Sequence, residues 1–121
     1  MNRVQIILTG RNQLQRIVIG DQSFRKVRRI GIIGMNNLES LVIGQSSFRI
    51  GNSEQMDGSF RVENCPKLNS IKIKYDSFYD YHSFSIMNLP SLHSIDIGGW
   101  CFHYVSMFAL SGLNRMRGLT A

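Results

Sequence analysis

Three histidines and two cysteines are the side chains in this sequence best suited to metal binding or nucleophilic chemistry. His82, His93 and His103 lack the short paired spacing with cysteine or carboxylate residues that a zinc site needs. Cys65 and Cys101 fall at positions that a packed interior would fill with small residues. The chain also lacks a Walker-type phosphate loop, a Gly-x-Ser-x-Gly elbow and a Ser/His/Asp grouping tied to a turn. We therefore expect no enzymatic activity, no bound metal and no cofactor.

Basic residues are concentrated in the first 33 positions. This segment contains seven lysine or arginine residues and one aspartate, whereas the remainder has seven basic and seven acidic residues, so the net charge of +6 belongs to the first segment. Its densest run contains Arg25, Lys26, Arg28 and Arg29. Such a run favours binding of a nucleic acid or another polyanion as an alternative function. The later charges do not continue it, so a solvated basic edge is the other interpretation.

A repeat of about 24 residues positions these side chains. Its first feature is the spacing Leu-x-x-apolar-x-Ile, which begins at Leu14, Leu38, Leu68 and Leu92, in steps of 24, 30 and 24 residues. Its second feature is a small residue followed by phenylalanine, at Phe24, Phe48, Phe78 and Phe102. An apolar-x-apolar pair follows six residues later, except in the second coil, where it follows twelve residues later. We therefore place a six-residue insertion around Gly51 to Gly58.

Alternating apolar residues in each coil predict strands with one buried face. One coil cannot bury its own apolar side, but stacked coils bury one another. The sequence thus predicts a β-rich repeat solenoid of about five coils of 24 residues, with two short strands per coil and little helix, in one domain spanning 1–121. Because the columns begin and end within a coil, we expect a fragment of a longer array, or self-association through open solenoid ends.

The repeated phrase Asn88-Leu89-Pro90-Ser91-Leu92-x-Ser94-Ile95-x-Ile97-Gly98 resembles a leucine-rich repeat. The Gly-x-x-Ser-Phe of Gly44 to Phe48 is similar to the Treponema-type or BspA-like repeats of bacteria and protists. The resemblance covers almost the whole chain. It implies a curved, right-handed solenoid with a parallel sheet on the concave side, a function in protein recognition and, in some members, cell-surface adhesion.

Two surfaces are candidates for binding another protein. The first contains the outward positions of the concave sheet: Arg16, Val18, Ser40, Val42, Ser70, Lys72, Ser94 and Asp96. The second contains loop aromatics: Tyr75, Tyr79, Trp100 and Tyr104. A solvated face is the alternative for the first surface, and inward packing is the alternative for the second. We predict inward packing for Tyr81, which shares a column with Val27. The predicted function is a protein-protein interaction scaffold.

No apolar run reaches the roughly 18 residues of a membrane-spanning helix, and the run from Val4 to Leu8 is too short for the core of a signal peptide. We therefore expect no membrane span. Two cysteines are far fewer than a small disulfide-stapled secreted domain needs. These features favour a reducing, cytoplasmic compartment, while the partner's identity is not encoded in a recognisable motif.

Overall fold

The computed structural model describes residues 5–9, 13–49, 58–102, 107–113 and 118–120, and these residues form ten strands without a helix. The strands in chain order are β1 (Gln5–Thr9), β2 (Arg16–Ile19), β3 (Arg29–Ile33), β4 (Ser40–Ile43), β5 (Gly58–Glu63), β6 (Ser70–Ile73), β7 (Tyr81–Met87), β8 (Ser94–Ile97), β9 (Met107–Ser111) and β10 (Gly118–Thr120). Odd-numbered strands form sheet A, in the order β1-β3-β5-β7-β9, and even-numbered strands form sheet B. Every neighbouring pair is parallel. The chain is therefore a parallel β-solenoid, as predicted.

Strand registers confirm the predicted repeat. Each coil contributes one strand to each sheet, and the chain completes four turns between β1 and β9, slightly fewer than the predicted five coils. Ile6 pairs with Ile30 at a 24-residue step. Ile30 pairs with Phe60 at the 30-residue step that the insertion requires. Residues 51–57, where most of the predicted insertion falls, lie outside the described residues, and Gly58 begins β5.

The core lies between the two sheets and contains the inward residues of both. In sheet B, Leu41, Ile71 and Ile95 occupy one column, and all three are buried. In sheet A, Phe60 and Phe84 are paired and buried in the same way. Each side chain is covered by the equivalent residues of adjacent coils, so burial depends on stacking and not on any single coil.

A sharp turn follows each of the strands β2, β4, β6 and β8, and we call the four turn segments 20–28, 44–49, 74–80 and 98–102 the loop corner. Its phenylalanines stack on one another across the turns. Ring centroids are 5.3 Å apart for Phe24 and Phe48, 4.8 Å for Phe48 and Phe78, and 5.0 Å for Phe78 and Phe102. All four have positive φ values between 53° and 57°, a conformation that a bulky side chain rarely adopts. Stacking and burial offset this local strain.

Hydroxyl groups connect successive turns beside the phenylalanines. Ser77 donates to the Gly44 carbonyl at 2.7 Å and accepts the backbone N–H of Ser47 at 3.1 Å. Ser47 repeats the arrangement one turn earlier, donating to the Gly20 carbonyl at 2.9 Å. In the last described turn the Sγ atom of Cys101 lies 3.1 Å from the Lys74 carbonyl oxygen. This column satisfies backbone groups that the sharp turn removes from sheet hydrogen bonding.

Tyr81 connects two turns that are not adjacent. Its side chain is fully buried, as predicted, and its hydroxyl donates to the backbone carbonyl of Val27, which precedes it by 54 residues. Burial, with a smaller contribution from the negative charge of Asp80, raises the pKa of the Tyr81 phenol. The second coil, whose sequence contains the insertion, lies between the two partners. Tyr81 therefore extends across the coil that contains the insertion.

Candidate functional site

The outer face of sheet B contains the first predicted surface. The strand registers align its eight residues in two rows: Arg16, Ser40, Ser70 and Ser94 in one, and Val18, Val42, Lys72 and Asp96 in the other. None of the eight is buried, and Val18 is 65% exposed. Apart from Arg16, the first row contains only serine, and the second row changes from valine to the opposite charges of Lys72 and Asp96. None of the eight residues is aromatic, and the large exposed side chains are the charged Arg16 and Lys72.

Of the predicted loop aromatics, two are strongly exposed. Tyr75 follows β6 and is 50% exposed, and Trp100 follows β8 and is 64% exposed. Tyr79 is half-buried, with its ring centroid 6.5 Å from that of Trp100. Tyr104, the fourth predicted aromatic residue, lies outside the described residues. The structure therefore brings three of the four predicted aromatics to adjacent turns of one corner.

The turn backbone positions these outward aromatics. Trp100 and Asp76 adopt positive φ at equivalent points of successive turns, with values of 63° and 65°. Gly98 lies directly over the Tyr75 backbone, since a Cβ added there would be 2.6 Å from the Tyr75 nitrogen. A Cβ on Gly99 would meet nothing within 4 Å. Gly98 is therefore covered by the preceding turn, whereas Gly99 is exposed.

Arg49 contacts both the Asp76 carboxylate and the ring of Tyr79. Neither Arg49 nor Asp76 was predicted from the sequence as part of a site. An Arg49 Nη1 atom lies 3.2 Å from Asp76 Oδ2, and the Arg49 guanidinium carbon lies 4.8 Å from the Tyr79 ring centroid. Ser46 donates to the same Asp76 oxygen at 3.1 Å. Contacts with both a carboxylate and a ring hold the guanidinium in place. The repeat could have indicated this contact, because Arg49 and Tyr79 are 30 residues apart and therefore occupy equivalent positions in adjacent turns.

The basic run divides between two surfaces. Arg25 and Lys26 are exposed on the loop corner, in the turn that precedes Arg49. Arg29 is exposed on the outer face of β3, and Arg28, between the two surfaces, is half-buried and has interaction partners of its own. The four predicted polyanion-binding residues are therefore divided between the turn and the strand that follows it.

Thiol and metal chemistry have little structural support in the described residues. Both cysteines are free thiols, and burial raises the pKa of each, which disfavours the reactive thiolate. Among the described residues there is no group of three or more histidine, cysteine or acidic side chains arranged to hold a metal ion. Asp80 is buried, and among these residues its Oδ1 atom has no hydrogen-bond partner. The exposed side chains of the loop corner are the candidate site considered below.

The described part of the chain also contains no helix long and apolar enough to cross a membrane. Comparisons with known proteins found no matching family model, no matching curated protein and no matching solved structure.

Proposed function

We propose that this solenoid is a non-catalytic interaction module that binds a protein partner through the loop corner. One observation supports this choice: Tyr75 and Trp100 are exposed by half or more on adjacent turns. The other strongly exposed aromatic rings of the described residues, Phe24 and Phe108, each stack on the equivalent ring of a neighbouring coil. Exposed clustered aromatics are costly in water and are enriched at the centres of protein interfaces. They bury much apolar area while their polar tips form hydrogen bonds.

The outer face of sheet B is the weaker of the two predicted surfaces. Its rows contain serine and valine beside the opposite charges of Lys72 and Asp96. Such a face presents no aromatic anchor and tolerates solvent well. The loop corner combines exposed rings with a guanidinium already held in place by Asp76. A preformed side-chain arrangement reduces the entropy lost on binding.

We also propose a relationship to leucine-rich repeats, with recognition at a cell surface as one setting for the module. Support comes from the Asn-x-Pro-x-Leu phrase, which precedes β6 and β8 and places Leu68 and Leu92 in the core. That resemblance implies a parallel sheet on the concave side, and this chain has a parallel sheet on two sides of each coil.

A peptide-display selection tests the function directly. Ligands enriched on the wild-type chain should lose at least tenfold in affinity against the double variant Tyr75→Ala/Trp100→Ala, measured by biolayer interferometry. The double variant Val18→Ala/Val42→Ala changes two outward residues of sheet B and should retain affinity within about twofold. Both variants should unfold at the wild-type temperature, because all four side chains lie at least partly at the surface. If only the sheet B variant loses binding, the site lies on sheet B and not at the loop corner. If the selection enriches no ligand at all, the proposal is contradicted.

Polyanion binding is distinguished by its dependence on salt. A nucleic acid or heparin ligand held by Arg25, Lys26, Arg28 and Arg29 would lose affinity steeply as salt rises from about 50 to about 200 mM. The slope would grow with the number of phosphates or sulfates neutralised. A protein ligand packed on Tyr75 and Trp100 should change far less. A steep salt response that survives the Tyr75→Ala/Trp100→Ala variant would favour the polyanion function.

A further inference from the structure

Outward side chains of the loop corner change in character along the solenoid axis. The first turn presents Arg25 and Lys26, both exposed. The next presents Arg49, whose guanidinium lies over the Tyr79 ring of the third turn. Trp100 follows in the fourth turn, beside Tyr79. The loop corner is therefore a strip with a basic end and an aromatic end. The predicted polyanion-binding run and the predicted aromatic surface lie next to each other on it.

Charge at the basic end is not neutralised by nearby acids of the corner. Asp76 is engaged by Arg49 and Ser46, and Asp80 is buried. Asp21 is exposed in the first turn, where its Oδ1 atom accepts the backbone N–H of Gln45 at 3.0 Å. The first turn thus has two exposed cations, Arg25 and Lys26, and one exposed carboxylate, that of Asp21, which already accepts a hydrogen bond. This end attracts an acidic group.

The aromatic end suits a flat apolar ring. Tyr75 and Trp100 are exposed on adjacent turns, and Gly99 leaves open space at the backbone beside them. Proline rings pack well against exposed aromatic faces, and proline-rich segments already adopt an extended helix without internal hydrogen bonds. Their backbone carbonyls are available to donors such as the Tyr75 hydroxyl.

The spacing of the turns sets the length of a matching ligand. Neighbouring parallel strands lie about 4.8 Å apart, so the fourth turn and the first are about 14 Å apart along the solenoid axis. A polyproline-type or extended chain advances about 3.1 to 3.4 Å per residue and covers this distance in four to five residues. The strip is therefore the length of a short linear segment.

We infer that the loop corner binds an extended peptide segment of a partner protein, with proline on Tyr75 and Trp100 and an acidic residue four to five positions away on Arg25 and Lys26. This inference rests on the proposed function and narrows it to one ligand class. Opposite ends of the segment contribute separately: the ring contact buries apolar area, and the charge contact fixes the direction in which the segment lies.

Synthetic peptides test the inference, with Trp100 as the reporter because it is the only tryptophan in the chain. The probe peptide contains two prolines and two aspartates separated by three residues. Comparison peptides retain only the prolines, only the aspartates, or both without the spacer. The matched peptide should change Trp100 fluorescence in a saturable manner and bind at least tenfold more tightly than each comparison peptide.

Charge variants locate the acidic contact. Arg25→Ala/Lys26→Ala should weaken the matched peptide at least fivefold and leave the proline-only peptide unchanged. Arg29→Ala is the matched control, because Arg29 is also exposed and basic but lies on the outer face of β3. Equal loss in the Arg29→Ala variant would show nonspecific attraction and overturn the inference.

Failure of this inference is distinguishable from failure of the proposed function. If the proline and aspartate peptides do not bind, but display selection still enriches ligands that require Tyr75 and Trp100, the interaction function stands and the ligand class is wrong. If oligonucleotide or heparin displaces the matched peptide and binds more tightly, the ligand is a polyanion and the inference is overturned. If neither selection nor peptides give Trp100-dependent binding, both proposals fail.

Discussion

Phe78 and Tyr79 are consecutive residues of the loop corner, but they belong to columns of opposite character. The column of Phe78 contains phenylalanine in four successive turns, and its rings stack within 5.3 Å of one another. The column of Tyr79 contains Arg25 and Arg49 in earlier turns. Inward positions meet the same neighbours in each coil, so the same side chain fits repeatedly. Outward positions have no such requirement and are available for recognition.

The largest expected effect contrasts an inward ring with an outward one. Phe78→Ala should lower the free energy of unfolding by about 3 to 5 kcal/mol, because it leaves a cavity between Phe48 and Phe102. Trp100→Ala should change it by less than about 0.5 kcal/mol, because the indole is mostly exposed. Urea unfolding followed by circular dichroism measures both. Similar losses in the two variants would contradict the division between inward and outward columns.

Adjacent glycines offer a second contrast at the same corner. Gly98→Ala should cost about 1 to 3 kcal/mol, because the new Cβ would lie 2.6 Å from the Tyr75 backbone nitrogen. Gly99→Ala should be nearly neutral in stability, since a Cβ there meets nothing within 4 Å. Thermal unfolding of the two variants under identical conditions compares them. A destabilised Gly99→Ala variant would show that the space beside Trp100 is not open.

The hydroxyl column provides a smaller effect. Ser77→Ala should lower the free energy of unfolding by about 1 to 2 kcal/mol, because the Gly44 carbonyl and the Ser47 N–H lose their buried partner. Ser77→Cys should recover part of this loss, since Cys101 occupies the equivalent position and its thiol reaches the Lys74 carbonyl. Chemical unfolding of both variants provides the values. A cysteine variant as unstable as the alanine variant would argue against a hydrogen-bonding role.

The smallest effect concerns Tyr81, whose inward phenol connects two turns. Tyr81→Phe should cost about 1 kcal/mol at neutral pH, because the Val27 carbonyl loses its buried donor.

The same residue makes a prediction about pH. Burial raises the pKa of the Tyr81 phenol in the folded state, so the unfolded chain, with a phenol pKa of about 10, loses its proton first. This contribution to stability is complete below about pH 10 and declines above it, by up to about 1.4 kcal/mol per pH unit. Unfolding measured at pH 7, 10 and 11 should show a shallower decline for Tyr81→Phe. Parallel declines in the two proteins would exclude a titrating Tyr81.

Predictions from the repeat succeeded where one periodic pattern determined the outcome. Alternation in Ile95-x-Ile97 identified a strand with a buried face, and the shared column with Val27 identified Tyr81 as inward. The predicted site was less complete. The aromatic residues were found by type, whereas Arg49 and Asp76 were not, because an ion pair depends on the directions of two side chains and not on their spacing alone.

The sequence by itself determined which residues face the core, where the strands recur and in which coil the register changes, because stacked coils impose one periodic pattern on every turn. Only the tertiary structure decided which outward side chains meet. It placed Arg49 between the basic first turn and Tyr79, and it left open space at Gly99 beside Trp100. Contacts across turns join residues about 20 to 50 positions apart, and their geometry depends on turn conformations such as the positive φ of Asp76 and Trp100, which no local pattern specifies.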